Sequence, residues 1–181
     1  ILSISLVTIT GCEKKGEENK KDESSSTNNE ANVDANALNL EIEYASDFKD
    51  GIAIIKSGGK YGVINTEGKI VLDCSNLMIE RIGDLLKVKK DQNFGLVDKD
   101  GKVVADYIYQ TIDKMDDDLY KVRKGDYGLI NKDGKEIVPC NFLYIGEVSE
   151  GIITMKASDK FIYVTKEGKL ITKKGYKNAS D

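Results

Sequence analysis

The chain has 181 residues, of which 40% are hydrophobic and 32% charged, and it carries a net charge of −4 at pH 7. This balance differs from the clearly basic composition of most nucleic-acid-binding proteins, so we expect no nucleic-acid partner. The length suits one domain, and the absence of His removes the side chain that most often serves as a catalytic base or metal ligand near neutral pH.

The first twelve residues, ILSISLVTITGC, form an apolar run that ends at Cys12. The run is too short to span a bilayer as a helix and has the length of the hydrophobic region of a signal peptide. Since neither a Met nor a basic stretch precedes it, we expect the signal to begin upstream of Ile1.

The last four residues of this run, ITGC, resemble the lipobox of bacterial lipoproteins. The resemblance implies cleavage before Cys12, attachment of diacylglyceryl to its sulfur, and a protein anchored by lipid on the extracytoplasmic side of the cell membrane. The alternative is an ordinary secretory peptide that contains a Cys by chance.

Residues 13–44 are predicted to be a disordered linker. The stretch 13–37 has no aromatic residue and is rich in Glu, Lys, Asn and Ser, so it cannot bury enough apolar surface to offset the entropy lost on ordering. A flexible chain of this length reaches about 30 Å. We therefore expect a signal peptide at 1–12, a spacer at 13–44, a folded domain at 45–174 and a tail at 175–181.

One motif occurs four times in the rest of the chain: KYGVINTEGKIV at 60–71, NFGLVDKDGKVV at 93–104, DYGLINKDGKEIV at 126–138 and KFIYVTKEGKLI at 160–171. Its turn glycines and its aromatic residues are both spaced by 33, 33 and 34 positions, at Gly68, Gly101, Gly134 and Gly168, and at Tyr61, Phe94, Tyr127 and Phe161. A period of this length indicates a repeat architecture.

The residues around these columns predict β-strands. Asn, Asp or Thr, followed by a polar residue, an acid and Gly, is typical of a bulged hairpin turn. The flanking runs, such as YGVIN and KIVLD, are too short for helices, and GIAIIK, DLLKVK, DLYKVR and GIITMK alternate as half-buried strands do. Each unit is thus predicted to have three strands, followed by a linking segment such as DYIYQTIDKMDD at 106–117.

We therefore predict an all-β fold of tandem hairpin repeats of about 33 residues, in which neighbouring units complete each other's core. An open array is favoured over a closed propeller, since propeller blades usually need about 40–45 residues. The two architectures are both compatible with the repeat.

The pattern of an aromatic residue with Gly, an aliphatic pair, Asn or Asp, an acid with Gly and Lys, and then IVP resembles the WG repeat of bacterial proteins over residues 47–174. The segment DYGLINKDGKEIVPCNFLYI at 126–145 follows it most fully. Tyr or Phe replaces the Trp in every copy, and Ile162 replaces the Gly of the fourth, as terminal units are commonly atypical. The resemblance implies a β-repeat architecture, whereas the function of the family is largely uncharacterised.

Cys74 and Cys140 occupy the same repeat position, six residues after the turn glycine, where the other copies have Tyr107 and Lys174. A disulfide needs Cα atoms within about 7 Å, and equivalent positions two units apart in a linear stack should be farther apart. We therefore predict two reduced thiols. A metal site is not expected, because neither His nor a close Cys pair can complete a tetrahedral site.

Acidic residues cluster in two places. Asp98 and Asp100 lie in DKDG, and the motif DKMDDD at 113–118 contains Asp113, Asp116, Asp117 and Asp118. Carboxylates bind Ca²⁺ and catalyse glycoside hydrolysis in pairs. Turn chemistry accounts for the first pair, and we interpret the others as solvated loop residues. No catalytic residue and no cofactor is predicted.

Two columns of basic residues also follow the repeat: Lys56, Lys89, Arg123 and Lys156 at strand ends, and Lys69, Lys102, Lys135 and Lys169 after the turn glycines. Two ladders of this kind could bind anionic wall polymers or lipid headgroups. The favoured interpretation is protection of exposed strand edges against aggregation. The aromatic column is interpreted as core rather than as a platform for sugars.

These features favour a lipid-anchored bacterial protein that presents its repeat domain as a binding or scaffolding module for a protein or an envelope polymer. No constellation of residues is unique to one unit, whereas an enzyme usually breaks its repeat at the active site. The alternative is a cell-wall hydrolase that uses the carboxylates of 116–118. A transporter's substrate-binding lipoprotein would need a large two-lobed α/β domain, which this chain is too short to form.

Overall fold

The computed structural model describes residues 40–172 of the chain. The predicted signal peptide with Cys12, most of the predicted linker and the predicted tail lie outside the described residues. Within 40–172, no helix is long and apolar enough to cross a bilayer.

The described residues form fifteen β-strands and no helix. The strands are β1 (Tyr44–Ala45), β2 (Ile52–Ser57), β3 (Lys60–Asn65), β4 (Ile70–Asn76), β5 (Met78–Ile82), β6 (Leu85–Lys90), β7 (Asn93–Val97), β8 (Val103–Tyr109), β9 (Thr111–Asp116), β10 (Leu119–Lys124), β11 (Asp126–Asn131), β12 (Glu136–Phe142), β13 (Tyr144–Ser149), β14 (Ile152–Ala157) and β15 (Lys160–Thr165).

These strands make four antiparallel sheets, each built from strands that are consecutive in the chain: β1–β4, β5–β8, β9–β12 and β13–β15. We call them units 1 to 4. None of the sheets closes into a barrel, so the prediction of an all-β array of tandem repeats is confirmed. The prediction of a link at 106–117 is wrong, because residues 106–109 belong to β8 and residues 111–116 form β9. Units 1 to 3 therefore have four strands each rather than three.

In units 1 to 3, the turn between the third and fourth strands is held by the side chain of its first residue. The Oδ1 atom of Asn131 accepts hydrogen bonds from the backbone N–H groups of Asp133 at 3.0 Å and Lys135 at 2.8 Å. Asn65 and Asp98 make the same pair of bonds. The acids of DKDG are thus part of a turn, as predicted.

The apolar core lies between the sheets. Three clusters of buried side chains each draw on two neighbouring units: Ile52 and Val63 with Ile79, Leu86, Val88 and Val97; Leu85, Leu96 and Ala105 with Ile112, Tyr120, Val122 and Ile130; and Leu119, Leu129 and Val138 with Ile145, Ile153, Met155 and Val164. Because units 2 and 3 contribute to two clusters each, their sheets are apolar on both faces. Neighbouring units therefore complete each other's interior.

The turn glycines supply a second contact between units. A Cβ atom built on Gly134 would lie 1.8 Å from the backbone oxygen of Val104 in the preceding unit. Gly101 and Gly168 approach the oxygens of Val71 and Ile137 in the same way, at 2.7 and 2.8 Å. Gly68, in unit 1, has nothing within 4 Å, so three of the four turn glycines are needed for packing between units as well as for their backbone conformation.

The Gly that follows the aromatic residue in the first three copies lies close to the neighbouring strand. In unit 3, a Cβ on Gly128 would lie 2.8 Å from both the Sγ atom of Cys140 and the oxygen of Val138, because β12 crosses directly over it. The sheet of unit 4 has three strands within the described residues. Ile162 occupies the position of Gly128 on the third of these strands.

Candidate binding surface

A cation lies over an aromatic ring at the same place in every unit. The two residues are directly opposite each other on the second and third strands: Lys56 and Tyr61, Lys89 and Phe94, Arg123 and Tyr127, and Lys156 and Phe161. The distances from the cation to the ring centroid are 5.8, 5.3, 5.5 and 5.2 Å in that order. We call these four pairs the cation–aromatic ladder. Contacts of this length are within the range of cation–π attraction.

In units 1 to 3, the ring packs between the core and its cation. Tyr61, Phe94 and Tyr127 lie against the three buried clusters, although all three remain half-buried rather than fully enclosed. The prediction that the aromatic column belongs to the core is therefore only partly right. A ring that touches the core and carries a cation offers little free face to a sugar, so the geometry gives no support to a sugar-stacking platform.

The cations of the ladder lie on inner strands. β2, β6, β10 and β14 are each paired on both sides, and the backbone oxygen of Arg123, for example, accepts a 2.8 Å hydrogen bond from the N–H of Gln110. The interpretation of Lys56, Lys89, Arg123 and Lys156 as edge protection is therefore wrong, because no exposed strand edge is present at these positions. The second basic column contains Lys69, Lys102, Lys135 and Lys169. The first three directly precede the edge strands β4, β8 and β12. For this column, edge protection stays a prediction.

A signal for the ladder was present in the sequence. Gly58 and Gly59 both have positive φ, at 57° and 73°, and a Gly-Gly pair favours a two-residue hairpin turn. Such a turn pairs Ser57 with Lys60, and hence Lys56 with Tyr61. Counting outwards from the turn would have placed the two columns opposite each other.

The ladder lies at the basic end of the array. This end contains the turns between the second and third strands and the connections between units, and we call it the ladder face. Its eight basic residues outnumber its four acidic residues; they are Lys56, Lys60, Lys89, Lys90, Arg123, Lys124, Lys156 and Lys160, against Glu43, Asp91, Asp126 and Asp159. Since the whole chain carries −4, positive charge is concentrated on this face.

The carboxylates of 116–118 lie at the opposite end, and each of them has a lysine partner. Asp117 pairs with Lys114 at 2.9 Å and Asp118 pairs with Lys132 at 2.8 Å, while Asp116 pairs with Lys166 of unit 4. The hydrogen bond from Lys114 lowers the pKa of the Asp117 carboxyl below its ordinary value. The Asp117 carboxylate is therefore ionised near neutral pH, whereas a glycosidase also needs a carboxyl group whose pKa is raised.

Grooves occur between units at this acidic end. One of about 450 Å³ is lined by the acids of 116–118 and by Lys166, and others of about 320 and 280 Å³ lie at the equivalent places between units 2 and 3 and between units 1 and 2. Within residues 40–172, no group of three His, Cys, Asp or Glu side chains is arranged to hold a metal ion. The grooves therefore recur at equivalent boundaries between units, while their charged side chains differ from one groove to the next.

The two cysteines of the domain are free thiols in separate sheets, as predicted. Cys74 and Cys140 are half-buried where their strands cross Gly62 and Gly128. Burial raises the pKa of both thiols, so they are protonated near neutral pH and react slowly.

Comparison with known proteins identifies the repeat. The model of the "WG containing repeat" family matches residues 37–61, 61–75, 94–126 and 127–169, more than half of the chain. No curated protein sequence matches it. Among solved structures it is similar to "KlHsv2 with loop 6CD replaced by a Gly-Ser linker", with 10% identity over 71% of this chain and a TM-score of 0.35.

A second similar structure is the "WD40 beta propeller domain of Doa1", with 17% identity over 69% of this chain and a TM-score of 0.32. The chain spans 50% of the length of each of these two structures. The repeated turn, the hairpin register and the family match lead to one conclusion: this chain belongs to the WG containing repeat family.

Proposed function

We propose that this protein is a bacterial lipoprotein whose WG-repeat domain is held outside the membrane as a binding or scaffolding module for a protein or an envelope polymer. The observation that carries the proposal is the surface that all four units share. The same cation lies over the same ring in each unit, at 5.2 to 5.8 Å. Repeat proteins use extended surfaces of this kind for binding.

The acidic cluster supports binding rather than catalysis. Each carboxylate of 116–118 is neutralised by a lysine, and the thiols of Cys74 and Cys140 have raised pKa values. A nucleophile or general acid needs the opposite environment, with a depressed thiol pKa or a raised carboxyl pKa. Incubating the purified full chain with cell-wall material tests this point, and clearing that is lost in Asp116→Asn and Asp118→Asn variants would favour a hydrolase instead.

The tether supports placement at the membrane. The lipobox-like ITGC ends at Cys12, and the polar stretch that follows is long enough to hold the domain about 30 Å from the bilayer. Replacing Cys12 with alanine is expected to release the protein into the medium, because stable anchoring depends on the acyl chains. Retention of this variant in the membrane fraction would contradict lipidation.

Crosslinking on intact cells tests the binding function. The anchored protein is expected to capture a partner that the released Cys12→Ala variant does not, because anchoring places the domain beside the envelope. Capture can be followed by mass spectrometry of the crosslinked species and by carbohydrate and phosphate analysis. Equal recovery from the anchored protein and the released variant would contradict the proposal.

A further inference from the structure

We propose that the ladder face binds a linear polyanion, a chain with regularly placed phosphate or carboxylate groups, through Lys56, Lys89, Arg123 and Lys156. This inference rests on the proposed binding function and names the surface and the ligand chemistry. The four cations occur once per unit at the same register position. A ligand with repeating charges can therefore meet equivalent partners along the array.

The rings hold the cations ready for such a ligand. Each ladder cation packs over a half-buried ring. In units 1 to 3 the ring also packs against the core, through Tyr61, Phe94 and Tyr127. A lysine or arginine side chain loses conformational freedom when it binds an anion, and prior ordering reduces that loss. The aromatic column thus contributes by positioning charge, which suits a ligand recognised through its anionic groups.

The charge distribution directs a polyanion to this end of the domain. Basic residues outnumber acidic ones by eight to four on the ladder face, whereas the chain as a whole is negative. At the opposite end, the lysines that face the acidic cluster are paired with carboxylates, at 2.8 and 2.9 Å for Lys132 and Lys114. On the ladder face, Lys56 has a carboxylate partner at a longer distance, 3.7 Å from Glu43. A local excess of positive charge raises the concentration and the on-rate of an anionic partner.

A polymer fits this face better than a single small anion or a flat membrane. A small anion would meet only the one or two cations of one unit, whereas a chain that spans several units gains from multivalency. The face also contains acidic residues among the basic ones: Glu43, Asp91, Asp126 and Asp159. A flexible chain can pass between them, but a planar anionic surface would be pressed against them.

The test uses the purified full chain and three probes: long-chain polyphosphate, orthophosphate and neutral dextran. One variant replaces the four ladder cations with Gln. A matched control replaces Lys69, Lys102, Lys135 and Lys169 with Gln, which removes the same charge after the turn glycines. We expect the unmodified chain to bind polyphosphate but neither of the other probes. The ladder variant should bind it at least about tenfold more weakly, and the control should change little.

Salt dependence gives a second readout. Four lost contacts should reduce the slope of log K against log salt by about 3 for a flexible polyanion. If circular dichroism shows that the ladder variant is unfolded, the triple variant Lys60→Gln, Lys124→Gln, Lys160→Gln replaces it. These three lysines lie at strand ends beside the turns of the same face, and their loss should weaken binding severalfold.

Three results would overturn the inference: no binding of polyphosphate at physiological salt, equal losses in the ladder variant and the control, or binding to anionic phosphatidylglycerol vesicles but not to polyphosphate. The inference and the proposed function can fail separately. If the ladder variant, still anchored through Cys12, captures the same partner on cells as the unmodified protein, the binding function stands and the surface assignment is wrong.

Discussion

Replacing Gly134 with alanine tests how neighbouring units fit together. Gly134 has φ of +78°, and an alanine in this left-handed region costs about 1–2 kcal/mol. The added Cβ would also lie 1.8 Å from the backbone oxygen of Val104, well inside the 3.4 Å at which ordinary contact begins. Moving the preceding unit to relieve this overlap should cost roughly a further 1–3 kcal/mol.

Gly68 provides the matched control. Its φ is +79° and it occupies the same turn position, but nothing lies within 4 Å of its Cβ direction. Gly68→Ala should therefore show only the backbone cost, and Gly134→Ala should be less stable than Gly68→Ala by roughly 1–3 kcal/mol. Gly101→Ala and Gly168→Ala, whose Cβ atoms would lie 2.7 and 2.8 Å from the preceding unit, are expected to fall between them.

Urea denaturation of the full chain, followed by circular dichroism, measures these differences. A change in midpoint with an unchanged m value reports stability alone. Equal destabilisation of Gly68→Ala and Gly134→Ala would refute the reasoning, because the two positions differ mainly in their contact with a preceding unit.

Asn131→Ala should lower the free energy of unfolding by about 1–2 kcal/mol, since two backbone N–H groups lose an acceptor at 3.0 and 2.8 Å; Thr165→Ala removes one bond of 3.3 Å and should cost less in the same urea assay. The Cys140 thiol should react with iodoacetamide more slowly than a free thiol at neutral pH and faster as the pH rises, because burial raises its pKa; rapid labelling at neutral pH, seen by mass spectrometry, would contradict this. Lys114→Gln should raise the pKa of the Asp117 carboxyl towards 3.8 in an NMR titration. Since the folded-state pKa is lowered, the stabilisation from this pair is present above the ordinary pKa and is lost as the pH falls through the lowered value, and an unchanged titration would show that the pair does not form.

The parts of the fold that depend on local chemistry could be predicted from the sequence. Asn131, followed by an acid and by Gly134, specifies its turn through short-range hydrogen bonds, and the alternation of apolar residues specifies the strands around it. The period of the motif then implies that equivalent residues meet equivalent surroundings. Sharing of the core between units followed from the size of one unit.

The parts that depend on strand order could not be predicted in the same way. Lys56 and Arg123 were assigned to exposed edges because a strand's neighbours are not visible in its own pattern, whereas each lies on an inner strand. The segment 106–117 contains the end of β8 and all of β9, but its sequence departs from the motif around it and therefore predicts a link. The candidate surface was therefore visible as two separate columns but not as pairs.

Contact between units is directional, and this has a consequence for how such chains can change in length. At every boundary within the described array, the turn after the third strand of one unit packs on the last strand of the preceding unit, as the turn of Gly134 does. Because these boundaries are alike, inserting or deleting a complete unit keeps the same contact between turn and strand at each junction. An insertion of an odd number of residues within a strand would instead invert its inward and outward side chains, which means that length variation in this array should come in whole modules.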